Sequence, residues 1–313
     1  MKNLNLPKKV FIKEVGPRDG FQIEKKFVPT ENKIEVIDML SACGFADIQY
    51  TAFVHPKAIP NMADAAEVSA KIKRPAGVEF TALIPNQKGY ERACGLGLKR
   101  VELTMSATDS HNLSNLNCTS LESIARLEEC LKLGLETQLC AGLAVVFGCP
   151  FEGRPPYERI RMLVDRIVGL GIKDLGLADT SGVGDPKQVY DICARLVDAY
   201  PSVTFYVHVH NTHGAAVANI LAAMQAGITH FDSSVAGLGG CPYAPGASGN
   251  VATEDIVQIF EYMGIETGID IDRLIAAAKR VEEIVGHSDS ATLKAGKMGH
   301  LVEGGPICQN NRQ

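Results

Sequence analysis

Short runs of apolar residues alternate with longer segments of helical periodicity along almost the whole chain. Eight runs predict β-strands, and these are Val10–Val15, Asp47–Phe53, Val78–Ile84, Arg100–Ser106, Thr137–Val146, Asp174–Ala178, Thr204–His210 and His230–Ser234. Helical spacing of apolar positions predicts helices between them, at Glu31–Cys43, Leu121–Leu133, Tyr157–Leu170, Pro186–Tyr200, Ala215–Ala226 and Ala252–Met263. Asp185 before Pro186 indicates an N-cap followed by a first-turn proline.

This alternation predicts a (β/α)₈ TIM barrel, with a doubly wound open sheet as the alternative. Polar residues at strand ends favour the barrel, because they follow strands one and eight as well as the strands between. The carboxyl ends of all strands meet at one mouth in a barrel, whereas the first and last strands of an open sheet need not be close. We predict a barrel over residues 1–266 and a helical extension over 267–313 that packs on it.

Composition narrows the classes of partner. The chain of 313 residues is 46% hydrophobic and carries a net charge of −5, which argues against general binding of nucleic acid. It has no apolar run of membrane-spanning length and no N-terminal targeting pattern. Its nine cysteines form no CxxC pair, which indicates reduced thiols. We therefore expect a cytoplasmic protein that does not bind membranes.

A metal site is predicted where the seventh strand ends. His208 and His210 point to the same side if the segment is extended, so two imidazoles can bind one ion. Asp19 and Asn250 lie at other strand ends and can supply two oxygen ligands. A set of two nitrogens and two oxygens suits Mg²⁺ or Mn²⁺. Zinc is a further possibility, and the alternative without metal is a pair of histidines that only form local hydrogen bonds.

Three other residues have reactive or charged groups near this predicted mouth. Cys241 lies in a glycine-rich loop after strand eight, where a mobile lid can bring its thiol to the site as an acid or base. Arg18 can neutralise a developing oxyanion, unless it only pairs with Asp19. Asp179 follows strand six and can orient a histidine or contact the substrate directly.

Asn86 and Ser106 follow strands three and four, and we predict that they donate hydrogen bonds to the substrate or its cofactor portion. His55 and His111 also lie near strand ends, but we expect both to face solvent. No GxGxxG, P-loop or Gly-x-Ser-x-Gly pattern occurs, so nothing in the sequence indicates a dinucleotide, a nucleoside triphosphate or an α/β-hydrolase nucleophile.

At these residues the chain resembles the 3-hydroxy-3-methylglutaryl-CoA lyase family, within a superfamily of metal-dependent lyases and Claisen-type synthases. The similarity runs from about Lys9 to Ala278. It rests on Val15-Gly16-Pro17-Arg18-Asp19-Gly20, Phe147-Gly148-Cys149-Pro150, Asp179-Thr180 and Gly237-Leu238-Gly239-Gly240-Cys241-Pro242-Tyr243-Ala244. The last of these motifs is the most specific, because the related synthases generally lack the cysteine loop.

The resemblance implies a retro-Claisen cleavage of 3-hydroxy-3-methylglutaryl-CoA to acetyl-CoA and acetoacetate, as in leucine degradation and ketone-body formation. It implies a divalent cation on Asp19, His208, His210 and Asn250, and an acyl-CoA thioester as substrate. Arg18 would stabilise the enolate, Cys241 would close over the site and take part in proton transfer, and Asp179 would be a further active-site acid. A homodimer is also expected from the resemblance.

The chain departs from the family pattern in strand two, where Gln49 replaces a catalytic glutamate. Ala52 and Gly176 replace serines, and Asn211 and His213 also differ from the usual residues. An amide cannot accept a proton at neutral pH, so an altered acyl substrate is the second hypothesis, and a non-catalytic barrel is the third. If Gln49 only weakens the reaction, Gln49→Glu should raise activity.

Overall fold

The eight predicted strands close into one parallel barrel in a computed structural model that describes residues 4–240 and 248–298. Each strand pairs with its neighbours in sequence, and the first pairs with the last. The strands are β1 Phe11–Glu14, β2 Asp47–Ala52, β3 Glu79–Ile84, β4 Arg100–Ser106, β5 Gln138–Ala144, β6 Asp174–Asp179, β7 Thr204–Val209 and β8 His230–Ser233. The TIM barrel is therefore confirmed, and the open sheet is excluded.

Helices follow the strands and form the outer layer. They are α1 Thr30–Ser41, α2 Ala65–Lys71, α3 Gln87–Gly95, α4 Asp109–Leu116, α5 Ser120–Lys132, α6 Tyr157–Gly169, α7 Pro186–Ala199, α8 Ala216–Gln225, α9 Thr253–Tyr262, α10 Ile271–Val285 and α11 Ala291–Ala295. The side chain of Asp185 accepts a hydrogen bond from the backbone N–H of Gln188, so the predicted cap of α7 is confirmed.

The short helices α2, α3 and α4 were missed by the sequence pattern. Each has nine residues or fewer, which is too short for a clear amphipathic repeat. Local capping defines α3 instead, because the side chain of Asn86 accepts a hydrogen bond from the backbone N–H of Gly89 at 3.2 Å.

Two glycines open the inside of the barrel. A Cβ atom on Gly142 of β5 would lie 2.6 Å from Oε1 of Glu102, and one on Gly176 of β6 would lie 2.5 Å from the ring of Tyr206. Such contacts are closer than van der Waals packing allows. The absence of side chains at these positions therefore makes room for a carboxylate and an aromatic ring within the barrel.

Within the C-terminal segment, helix α10 packs on the barrel. Helix α10 contacts both α1 and α9 and buries Leu274, Ala277, Ala278 and Val281 on the side that faces them. None of the helices in the described ranges has the length and apolar character that crossing a membrane requires.

Candidate active site

The turn after β1 presents Arg18 and Asp19 to the carboxyl-terminal mouth. Residues Gly16–Gly20 form a single π-helical turn, a conformation often found at functional sites. Buried Glu14 holds the turn, because its Oε1 accepts hydrogen bonds from the backbone N–H groups of Gly16, at 2.7 Å, and Val235, at 2.8 Å. The turn after β1 is thus tied to the segment after β8.

Nitrogen and oxygen donors converge at this mouth. Nε2 of His208 lies 3.1 Å from Nε2 of His210 and 4.0 Å from Oδ2 of Asp19. One potential ligand atom from each of the three residues lies within 4.8 Å of the others. Nδ2 of Asn250 donates to Oδ2 of Asp19 at 2.6 Å, which brings the fourth predicted ligand to the same place. The predicted set is therefore spatially adjacent.

The arrangement of polar atoms shows that the donor set fits a cation. Oδ1 of Asn250 is buried and has no hydrogen-bond partner among the residues that the structure describes, and the Nε2 atoms of His208 and His210 face each other at 3.1 Å. Burial and the neighbouring His208 lower the pKa of His210 to about 4, so its ring is neutral at pH 7 and can donate an electron pair. Although burial opposes ionisation, Arg18 and the two histidines hold the pKa of Asp19 well below its usual range.

Asp232 is the residue that orients His208. Its Oδ2 lies 3.3 Å from Nδ1 of His208, which leaves the Nε2 of that ring directed toward the other donors. One of the two roles predicted for Asp179 was orientation of a histidine, and in the structure Asp232 has this role. The carboxylate of Asp179 instead accepts hydrogen bonds from the backbone N–H groups of Val183 and Gly184, at 3.1 and 3.0 Å. Burial raises the pKa of Asp179.

Gln49 links the site to charged groups inside the barrel. Its Oε1 accepts a hydrogen bond from Nε of Arg18, and its Nε2 donates to Oε2 of Glu102 at 3.0 Å. The same carboxylate oxygen accepts from Nζ of Lys13 at 3.1 Å. Arg18 also contacts Oδ1 of Asp19 through NH1. A carboxylate is thus present near strand two, although it is attached to strand four.

The remaining predicted residues have different surroundings. Asn86 is exposed and caps α3 with its carbonyl oxygen. Ser106 is fully buried, and its hydroxyl lies 2.7 Å from Nδ1 of His111. His111 is itself buried, so the prediction that it faces solvent is wrong, whereas His55 is exposed as expected. Contacts of Asn86 and Ser106 with substrate stay predictions, and Cys241 lies outside the described residues.

Glycines allow the loop after β8 to approach Asn250 closely. A Cβ atom on Gly239 would lie 2.3 Å from Nδ2 of Asn250, and the backbone of Gly239 has a φ of +131°, which L side chains rarely adopt. The carbonyl of Leu238 accepts from the same Nδ2 at 3.0 Å. The glycine-rich segment thus fixes the orientation of the asparagine amide, so that Oδ1 is free for a cation.

Comparison with known proteins agrees with this geometry. Residues 9–281 match the family described as HMGL-like. The chain belongs to the HMGL-like family. It is 45% identical to a hydroxymethylglutaryl-CoA lyase of Bacillus subtilis over 284 residues, which cover 90% of this chain and 94% of that protein. It is 40% identical to the human mitochondrial hydroxymethylglutaryl-CoA lyase over 288 residues, which cover 91% and 89% of the two chains.

A solved structure of an HMG-CoA lyase from Acinetobacter baumannii, in complex with coenzyme A and 3-methylmalate, superposes with a TM-score of 0.88. It is 40% identical and covers 95% of this chain and 97% of its own. The family resemblance predicted from the sequence is therefore confirmed. In this HMGL-like protein, the departures from the family pattern lie within a barrel that is otherwise closely similar.

Sequence reasoning missed Lys13, Glu102 and Asp232. All three are buried and lie within strands. A charged residue in the middle of a strand of a parallel barrel was the available signal, because such strands are covered on both faces and charges there require partners. The sequence could not show which charges pair, since the partners come from β1, β4 and β8.

Proposed function

We propose that this HMGL-like protein is a carbon–carbon lyase that cleaves 3-hydroxy-3-methylglutaryl-CoA to acetyl-CoA and acetoacetate. The observation that supports this best is the convergence of Asp19, His208 and His210 beside Arg18, in a barrel whose relatives are named hydroxymethylglutaryl-CoA lyases. The relatives give no support for a different acyl substrate. A non-catalytic barrel would have no need to bring these groups together.

We also propose that Asp19, His208, His210 and Asn250 hold a divalent cation, with Mg²⁺ or Mn²⁺ as the ions that suit this mixed nitrogen and oxygen set. Once bound, such a cation acts as a Lewis acid that orients the substrate hydroxyl and lowers its pKa. Asp232 maintains the orientation of His208, and the Asn250 amide maintains that of Asp19. These contacts hold the donors before the cation arrives.

Arg18 supplies the fixed positive charge that the departing group requires. Cleavage leaves electrons on the thioester as an enolate, and a guanidinium that is already in place stabilises this charge without reorganisation. Arg18 is only 8% exposed and is held on two sides, by Gln49 and by Asp19. Proton transfer is assigned to Asp179, whose raised pKa makes it a stronger base, and to Cys241.

The test measures release of acetyl-CoA from 3-hydroxy-3-methylglutaryl-CoA with added Mg²⁺ or Mn²⁺, and again after treatment with a chelator. We expect metal-dependent release that His208→Ala or His210→Ala reduces at least about 100-fold, since each removes one ligand. His287→Ala is the matched control, because its ring lies at the surface beside Glu24. Full activity after chelation, or in either ligand variant, would contradict the assignment.

A panel of other 3-hydroxyacyl-CoA thioesters tests the substrate separately. We expect the highest kcat/KM with 3-hydroxy-3-methylglutaryl-CoA. Faster cleavage of another thioester would favour a related lyase of altered substrate. We further propose a cytoplasmic homodimer that acts in leucine degradation or ketone-body formation, as the family resemblance implies, and light scattering of the purified protein tests the dimer.

A further inference from the structure

A chain of hydrogen bonds runs from the inside of the barrel to the mouth, and we call Glu102, Gln49 and Arg18 the interior relay. Glu102 accepts from Nε2 of Gln49 at 3.0 Å, and Oε1 of Gln49 accepts from Nε of Arg18. All three side chains are buried, with 8%, 0% and 8% exposure. The relay therefore joins an ionised carboxylate on β4 to the guanidinium beside the metal ligands.

The two ends of the relay fix the direction of the Gln49 amide. A carboxylate only accepts hydrogen bonds and a guanidinium only donates them. If the amide were reversed, its NH₂ would face the Nε–H of Arg18, and its oxygen would face the carboxylate of Glu102. Both contacts would be repulsive in a site from which water is excluded. Glu102 and Arg18 together therefore determine that Gln49 presents its oxygen to Arg18.

The barrel is built to keep Glu102 ionised. Although burial opposes ionisation, Lys13 at 3.1 Å and the more distant Arg18 lower the pKa of Glu102 to about 2. The other carboxylate oxygen, Oε1, accepts from the hydroxyl of Thr104 at 3.2 Å. Lys13 also pairs with Asp232 at 3.3 Å and lies 4.0 Å from the ring centroid of Tyr206. Gly142 supplies the space that the carboxylate occupies.

We propose that Glu102 is a positioning residue, which holds the guanidinium of Arg18 in its reactive orientation through the amide of Gln49. The catalytic role of Arg18 rests on the proposed function. The existence of the interior relay rests only on the hydrogen bonds described above. The residue does not touch the substrate. Its effect on turnover comes from the direction and position that it gives to Arg18.

Two variants separate the relay from simple structural support. Glu102→Met removes the acceptor of Gln49 while Lys13 keeps Asp232 as its partner. Glu102→Gln removes the charge but keeps a carbonyl acceptor of the same shape. For Glu102→Met we expect kcat to fall about 100-fold, as small misplacements of a catalytic group can cause, with KM changed by less than about threefold. Glu102→Gln should stay within about tenfold of the parent kcat.

The rate of hydrogen exchange at the Arg18 Nε–H tests the interior relay without measuring the reaction. This rate is measured by NMR in ¹⁵N-labelled protein, and the signal is assigned by its loss in Arg18→Lys. We expect a slowly exchanging signal in the parent and in Glu102→Gln, and at least about tenfold faster exchange in Glu102→Met. Glu266→Gln, at an exposed pair with Lys9, is the control and should change nothing.

The outcomes are distinct. A folded Glu102→Met variant with parental turnover and parental Arg18 exchange would overturn the proposal. If the parent shows no lyase activity, the proposed function fails while the exchange measurement still decides the relay. Should Glu102→Met fail to fold, the parent and Glu102→Gln decide it: a rapidly exchanging Arg18 Nε–H in both would overturn the relay.

Discussion

Gln49→Glu restores the residue type that the family resemblance expects in strand two, yet the structure predicts a loss rather than a gain. The new carboxylate would face Oε2 of Glu102, which now lies 3.0 Å from Nε2 of Gln49. Two unit charges at that distance repel by about 5 kcal/mol at an effective dielectric constant of 20. Lys13 and Arg18 already pair with the carboxylates of Glu102, Asp232 and Asp19, so an added carboxylate has no cation of its own.

Because of this repulsion, the stability of the variant should depend on pH. This repulsion holds the pKa of the added carboxyl in the folded protein above its value in the unfolded chain. Between these values the folded state binds one proton more than the unfolded state. The free energy of unfolding of the variant therefore falls, relative to the parent, as the pH rises through this window.

Thermal denaturation between pH 5 and pH 8 measures this effect. We expect the melting temperatures of variant and parent to be close at pH 5 and to diverge as the pH rises to 8. We also expect kcat at pH 7 to fall at least about tenfold, because the group that faces Arg18 is displaced or shares a proton. The double variant Gln49→Glu/Glu102→Gln has one carboxylate again and should recover stability. A deficit that does not vary with pH, or a double variant no more stable than the single one, would refute this reasoning.

Three further predictions concern other parts of the barrel. Gly176→Ser should lower the free energy of unfolding by about 1–3 kcal/mol through overpacking against the β7 tyrosine, whereas Gly95→Ala, at an uncrowded helical position, should not. Burial raises the pKa of Glu254 to about 8, so the free energy of unfolding falls as the pH rises from about 4.5 to about 8. Glu254→Gln should make the melting temperature depend less on pH in this range, and an unchanged dependence would contradict the prediction. Asp232→Asn should weaken Mn²⁺ binding about 10- to 100-fold in calorimetric titration, and parental affinity would show that this carboxylate does not orient the histidine.

The strand and helix order was predictable because local patterns carry it. Parallel strands buried on both faces appear as short apolar runs, and amphipathic helices repeat every 3.6 residues. The family motifs are also local, as in Arg18-Asp19 and His208-x-His210. A barrel places all strand ends at one mouth, so the sequence also predicts Asn250 beside the histidines.

Pairing inside the barrel depended on tertiary structure alone. Glu102, Gln49 and Lys13 come from three strands, and no local pattern specifies which buried charge reaches which amide. Asp232 rather than Asp179 orients His208 because β8 places Asp232 directly opposite His208, whereas β6, the other neighbour of β7, places Asp179 opposite Val209.

The sequence by itself determined the fold, the family and the residue types at the mouth, because periodicity and contiguous motifs encode them. The tertiary structure decided which groups Gln49 contacts. Because Gly142 leaves space on a neighbouring strand, Glu102 supplies the buried charge, and the neutral amide of Gln49 connects it to Arg18. These contacts join residues of different strands, so no local pattern in the sequence specifies them.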